Sequence, residues 1–323
     1  MATGEHVKLL IQAHYDNEDR FRTVVLQLAA YEANKGHNAL AREIRDIVDS
    51  SKFKRNKIVQ LNNSFNELIN STLPDHNLSE IVVTTEIKQR IQRILKEYRQ
   101  RDKLKKYGLN NRRKILLAGP PGTGKTMTAS VLASELNLPL CTIMMDKMVT
   151  KYMGETSAKL RQIFDNILEC QGVYLFDEFD AIGSERSMDN DVGEIRRVLN
   201  SFLQLIEQDK SESIIVAATN NPRLLDQALF RRFDDIIHYD LPDESEIERL
   251  ISNRLGEFGD KGIIYANITK KCNTLSHAEI SKACDDSIKE SILCDKEFVD
   301  EKLLHKMIEE RLSSYMRGDE FGN

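Results

Sequence analysis

The sequence predicts an α/β protein: a five-stranded parallel sheet wrapped by helices, a C-terminal α-helical lid and a small N-terminal helical domain. Three observations predict it. From Ser79 onward, short apolar runs alternate with helical patterns, as in a parallel sheet flanked by helices. After Leu241-Pro242 the strand-like runs stop and every pattern is helical. Near the N-terminus, apolar residues recur only at helical spacing.

Residues 1–52 carry three such stripes: Val7, Leu10 and Ile11; Phe21, Val24, Val25 and Leu28; Leu40, Ile44, Ile47 and Val48. The stretch Asn34 to Asn38 breaks the second helix from the third. Residues 53–78 are polar and Asn-rich and read as a linker with some helix. The core, 79–241, has candidate strands at Lys114–Ala118, Leu140–Met145, Gly172–Phe176, Ser213–Thr219 and Ile236–Tyr239. Pro139 leads the second of these, where a missing N–H does no harm. The lid, 242–316, reads as helices at Glu244–Glu257, Ser276–Leu293 and Glu297–Met316, and 317–323 as a frayed tail.

A chain of 323 residues with 41% apolar content can fill the cores of two or three domains. Its net charge of −5 provides no global basic field to make nucleic acid the main partner. The basic run from Lys96 to Lys114 alternates with Leu and Tyr at helical spacing and reads as a solvated helix face. Five cysteines, an odd number with no C-x-x-C pair, argue against a disulfide framework and for a reducing cytoplasm. No stretch has the length of a membrane span, and the first apolar patch is too short for a signal peptide.

The chemistry concentrates at GPPGTGKT, Gly119 to Thr126, between the strand-like run Ile115–Ala118 and the helix-like run Met127–Leu136. Gly122 and Gly124 let consecutive N–H groups turn toward phosphate oxygens, and the following helix adds its positive end. Lys125 would reach the β- and γ-phosphates and the Thr126 hydroxyl would ligate Mg²⁺, while Pro120, Pro121, Thr123 and Met127 complete the cradle. Asp177 and Glu178 end a buried-type strand, one to hold the Mg²⁺ shell and the other to polarise water as general base. Asn220 ends the next strand, where an amide can donate and accept at once, or can simply make an Asn-Asn-Pro turn. Arg231 and Arg232 are either surface charge or fingers for a neighbouring subunit's site.

The set GPPGTGKT, VYLFDEFDAIG, IIVAATNNPRLLDQALFRRFD and LSHAEISKACDDSI, in this order, resembles the classical AAA ATPases of the AAA+ superfamily over residues 79–313. The resemblance implies an AAA+ core of the P-loop NTPase kind and a ring-forming ATPase, usually hexameric, that uses ATP and Mg²⁺ and acts on protein substrates. By position Asn220 looks like sensor 1, Arg231 and Arg232 like paired arginine fingers, and Lys151, Tyr152 and Met153 like the substrate-gripping pore loop. Ser184 to Gly193 takes the place of a second pore loop. His277 stands where relatives usually have Gly; with Ala278 it falls at the nucleotide's base end, or it is a surface histidine. The chain is also similar to compact prokaryotic AAA proteins, some encoded beside a subtilisin-like serine protease. That likeness implies a protease, substrate or adaptor recruited by residues 1–52. An ATP-gated scaffold that regulates a partner enzyme without threading is the alternative.

Overall fold

The computed structural model describes residues 18–35, 68–148, 153–179, 192–224, 227–260 and 262–320, with the single residues 8, 37, 40, 42 and 44. The chain divides into two units, 1–60 and 61–323. In the first, α1 spans Glu18–Asn34 and buries Ala29 and Glu32. The His37 N–H donates to the Glu32 carbonyl at 3.0 Å and closes the helix end. Of the other two helices expected there, only residues 8, 40, 42 and 44 are described, and all are helical.

The second unit is built on a six-stranded sheet. In chain order its core elements are β1 (Ile69–Thr72), α2 (Thr85–Arg99), β2 (Lys114–Ala118), α3 (Lys125–Leu136), β3 (Leu140–Ile143), α4 (Met153–Glu169), β4 (Val173–Phe176), α5 (Val192–Gln208), β5 (Ile214–Thr219) and β6 (Asp235–His238). The strand order is β1-β3-β4-β5-β2-β6. All five expected strands are present and parallel, Lys114–Ala118 with the ends expected and the others with ends shifted by one or two residues. β1 is an addition: it pairs antiparallel with β3, Ile69 opposite Ile143, out of the stretch read as a linker. Its sequence, INST, buries only Ile69 and leaves three polar residues exposed, as an edge strand can. That gives no alternation for a sequence reading to catch.

The central strands read as unbroken apolar runs because helices cover both faces. Ile115, Leu117, Val173, Leu175, Ile214 and Val216 pack against α2 and α3. Leu116, Tyr174, Phe176, Ile215 and Ala217 face α4 and α5 through Ile163, Phe164, Phe202 and Ile206. The basic run closes on acids of its own chain: Arg99 with Glu135 at 2.9 Å, Arg101 with Glu212 at 3.2 Å, Arg112 with Glu97, and Arg113 with Asp209.

Past Pro242 the lid has three main helices, α6 (Glu244–Leu255), α7 (His277–Leu293) and α8 (Glu301–Glu320). Helix α6 stops at Leu255, two residues before the expected Glu257, because Gly256 turns to φ 51°. Helix α8 runs past Met316 and takes up part of the stretch expected to fray. Ile247, Ile251, Ile280, Cys284, Leu304 and Ile308 form the lid's own core. The cysteines are free, and burial pushes the Cys272 thiol up to about 11 and Cys284 to about 12. Among the described residues, no helix is long and apolar enough to cross a membrane.

Candidate functional site

At the carboxyl end of β2 the chain must turn at once into α3, and glycines make that possible. Gly119 lies so close to β6's continuation that a Cβ there would sit 2.1 Å from the Tyr239 carbonyl oxygen. Gly122 has φ 73°, and a Cβ on it would stand 2.5 Å from Ser276 Oγ of the lid. The loop curls around Lys125, whose Nζ donates to the carbonyls of Gly119 and Pro120, each at 2.7 Å. Thr123 Oγ1 donates to the Pro120 carbonyl at 2.8 Å. The first turn of α3 leaves its N–H groups without intrahelical partners, a natural place for an anion.

This loop opens onto a cavity of about 410 Å³. Of the residues expected from sequence, Pro121 through Met127, Asp177, Glu178, Asn220, His277 and Ala278 all line it. Gly119 and Pro120 stand behind the loop and contribute the carbonyls that hold Lys125. Thr126 Oγ1 donates to Asp177 Oδ2 at 2.7 Å, and the Glu178 N–H donates to Asp177 Oδ1 at 3.0 Å. A hydroxyl and a carboxylate brought together beside a phosphate cradle fit the hard oxygen donors that Mg²⁺ prefers. Glu178 is exposed to the cavity at φ 50°. The next residue, Phe179, is fully buried and donates its N–H to the Ala218 carbonyl at 2.8 Å, which fixes the turn.

The lid is tied directly to the loop: the Ala278 N–H donates to the Gly122 carbonyl at 3.0 Å. At this end of the cavity the walls are Glu80, Ile81, Val82, Leu250 and Ser281, which sequence reasoning missed. The signal available for two of them, Ile81 and Val82, was the apolar triplet Ile81-Val82-Val83, buried just before the Thr84 N-cap of α2. Burial lowers the His277 imidazole from the usual 6.5 to about 4, although Asp243 and the Val82 backbone favour its charged form.

Arg231 and Arg232 do not line the cavity. They are exposed just before β6, where Arg232 pairs with Glu207 at the end of α5. β2 and β6 are parallel, Ile115 opposite Asp235, so the arginines stand at the amino edge of the sheet and the phosphate loop at the carboxyl edge. About 15 Å of strand separates the two edges. Lys151 and Tyr152 lie outside the described residues, as do 184–191 of the second expected loop; Met153 opens α4. Among the described residues, no group of three or more His, Cys, Asp or Glu is placed to hold a metal ion.

The family model described as "ATPase family associated with various cellular activities (AAA)" matches residues 115–241. An uncharacterized AAA family ATPase of Sinorhizobium fredii is 30% identical over 319 residues, which is 96% of each chain. A putative 26S proteasome regulatory subunit homolog of Methanocaldococcus jannaschii is 33% identical over 171 residues, 52% of this chain and 45% of that one. A proteasome-activating nucleotidase of Methanococcus maripaludis is 30% identical over 202 residues, 60% of this chain and 49% of that one. The chain thus spans nearly all of the Sinorhizobium protein but less than half of each of these other two.

Proposed function

The chain belongs to the AAA family of ATPases, and from that premise we propose that it works as a homo-oligomeric ring, a hexamer by likeness, which spends ATP on pulling or remodelling protein substrates. It hydrolyses ATP. Lys125 leaves the Gly119 and Pro120 carbonyls for the β- and γ-phosphate oxygens. Thr126 and Asp177 would hold Mg²⁺, which when bound would neutralise phosphate charge. Glu178 takes a proton from the attacking water, and the Asn220 amide orients that water toward the γ-phosphate. The work is positioning and charge stabilisation, with little covalent chemistry for the protein to do.

The observation that carries the ring is the place of Arg231 and Arg232, at the edge of the sheet away from their own cavity. A guanidinium there serves a phosphate only on another copy of the chain, and such a contact is worth on the order of 10³-fold or more in rate. Relatives named for proteasome regulation support a protein substrate. Tyr152 would grip it in the ring's channel through aromatic contact that does not read sequence. Residues 1–52 would recruit the substrate, an adaptor or a serine protease. Free cysteines suit work in the cytoplasm.

A chain carrying Arg231→Ala with Arg232→Ala should lose at least about a hundredfold in ATPase rate while melting like the parent. Mixed with Lys125→Ala chains, whose arginines are intact, it should regain turnover. No recovery at any mixing ratio rules out action between copies.

A further inference from the structure

A loop rich in glycine has little stiffness of its own, so the shape of the phosphate cradle depends on what holds its two ends. Tyr239, directly after β6, meets both. Its N–H donates to the Ala118 carbonyl at 2.7 Å, and its own carbonyl lies against Gly119, where a Cβ would not fit. That fixes the entry to the loop. The side chain reaches the exit, where Gly124 is the N-cap of α3 at φ 98°. Thr128 Oγ1, on the first turn of α3, donates its one hydrogen to the Gly124 carbonyl at 3.0 Å, and it therefore accepts from Tyr239 Oη at 2.6 Å. The backbone of one residue thus holds the start of the loop, and its hydroxyl holds the end.

Tyr239 is 2% exposed and Thr128 fully buried, in the apolar core that also holds Ala129, Leu132 and Ile237. A Phe and a Val would fill the same space without burying a polar atom, and a hydroxyl taken out of water is unfavourable unless it is hydrogen-bonded. Burial pushes the Tyr239 phenol above its usual 10, so it keeps the proton it donates throughout the neutral range. Neither residue lines the 410 Å³ cavity, so any effect on a ligand there passes through Gly124 and α3. We propose that Tyr239 is a positioning residue for phosphate binding: its hydroxyl, acting through Thr128, holds Gly124 and the start of α3 at a set distance from Gly119. The first-turn N–H groups and Lys125 are then aimed before the nucleotide arrives, and order built in beforehand need not be supplied by binding. This rests on the cavity being the ATP site and deepens that assignment. It asks nothing of the ring.

The test is equilibrium binding by calorimetry, in the full chain carrying Glu178→Gln so that ATP persists. The ligands are ATP and inorganic tripolyphosphate, each with Mg²⁺. Tyr239→Phe and Thr128→Val each remove one hydroxyl and leave the rest of the side chain to pack, and each should bind both ligands about fivefold more weakly. The double variant should bind no more weakly than Thr128→Val alone, because one linkage is broken either way. Thr128→Ser, which keeps the hydroxyl, should bind within about twofold of the parent. A hydroxyl that only stabilises the core would lower the melting temperature and leave both affinities unchanged. That result overturns the inference, as do single losses that multiply in the double variant. Lys125→Ala tests the premise separately: it should abolish tripolyphosphate binding, and if it does not, the cavity is no phosphate site and both readings fall. Where binding does depend on Lys125, an unchanged Tyr239→Phe removes the positioning role alone.

Discussion

Glu178 holds a backbone conformation, φ 50°, that costs a side chain of this kind about 1 kcal/mol or more, and it persists because Phe179 is locked into the core beneath it. That strain aims the carboxylate into the cavity instead of along the strand. Glu178→Gln keeps shape and backbone but removes the base. Turnover should fall by about 10²- to 10⁴-fold while ATP still binds, measured as steady-state rate against calorimetric affinity; a variant that turns over like the parent removes Glu178 from the mechanism. Asp177, Glu178 and Lys125 were legible in the sequence because each sits at a fixed offset within a short local motif. Val82 and Leu250 were not, because an apolar residue lining a cavity looks in sequence like any other core residue. Only the approach of the lid to the segment before α2 gives them that role.

Helix α6 shows how an element's end supports the site. Asp243 Oδ1 accepts the Glu246 N–H at 2.8 Å, and Glu246 Oε2 accepts the Asp243 N–H at 3.1 Å, a reciprocal capping box. The helix it starts buries Ile247, Ile251 and Leu255 in the lid and presents Leu250 to the cavity. Asp243→Ala should cost about 1 kcal/mol and lower the melting temperature by a few degrees. The Glu246 backbone N–H, then the Ser245 hydroxyl, hold the Asp243 carboxyl below its usual 3.8. The cap's contribution is therefore complete above pH 3.8 and fades as the pH falls through the lower folded value. A melting curve against pH reads this directly: the parent and Asp243→Ala should converge in acid, and a gap that persists at the lowest pH contradicts it. The capping signals and apolar spacings of α2, α6 and α7 could be read locally. Strand β1 could not, because its stability comes from backbone pairing with β3, some seventy residues away.

At the scale of the whole molecule, a threading ring and an ATP-gated scaffold share the same nucleotide chemistry and part only at Tyr152. Tyr152→Ala should leave ATPase activity within about threefold of the parent and abolish ATP-driven unfolding of a bound protein substrate, followed by loss of the substrate's fluorescence. Unfolding at the parent's rate would remove Tyr152 from the grip, and a parent that hydrolyses ATP without unfolding the bound substrate would favour the scaffold. Composition, charge and cysteine count bounded the class of protein, and the order of strand and helix patterns along the chain announced the parallel sheet, because those signals repeat within a few residues. The sequence by itself thus determined the phosphate loop, the acidic pair and the succession of elements. Tertiary structure alone decided that the lid closes onto Gly122 and that Tyr239 meets both ends of the phosphate loop. It also decided that the arginine pair stands across the sheet from its own phosphate loop. Contacts of that kind join residues more than a hundred positions apart, and no local periodicity records which of them will meet.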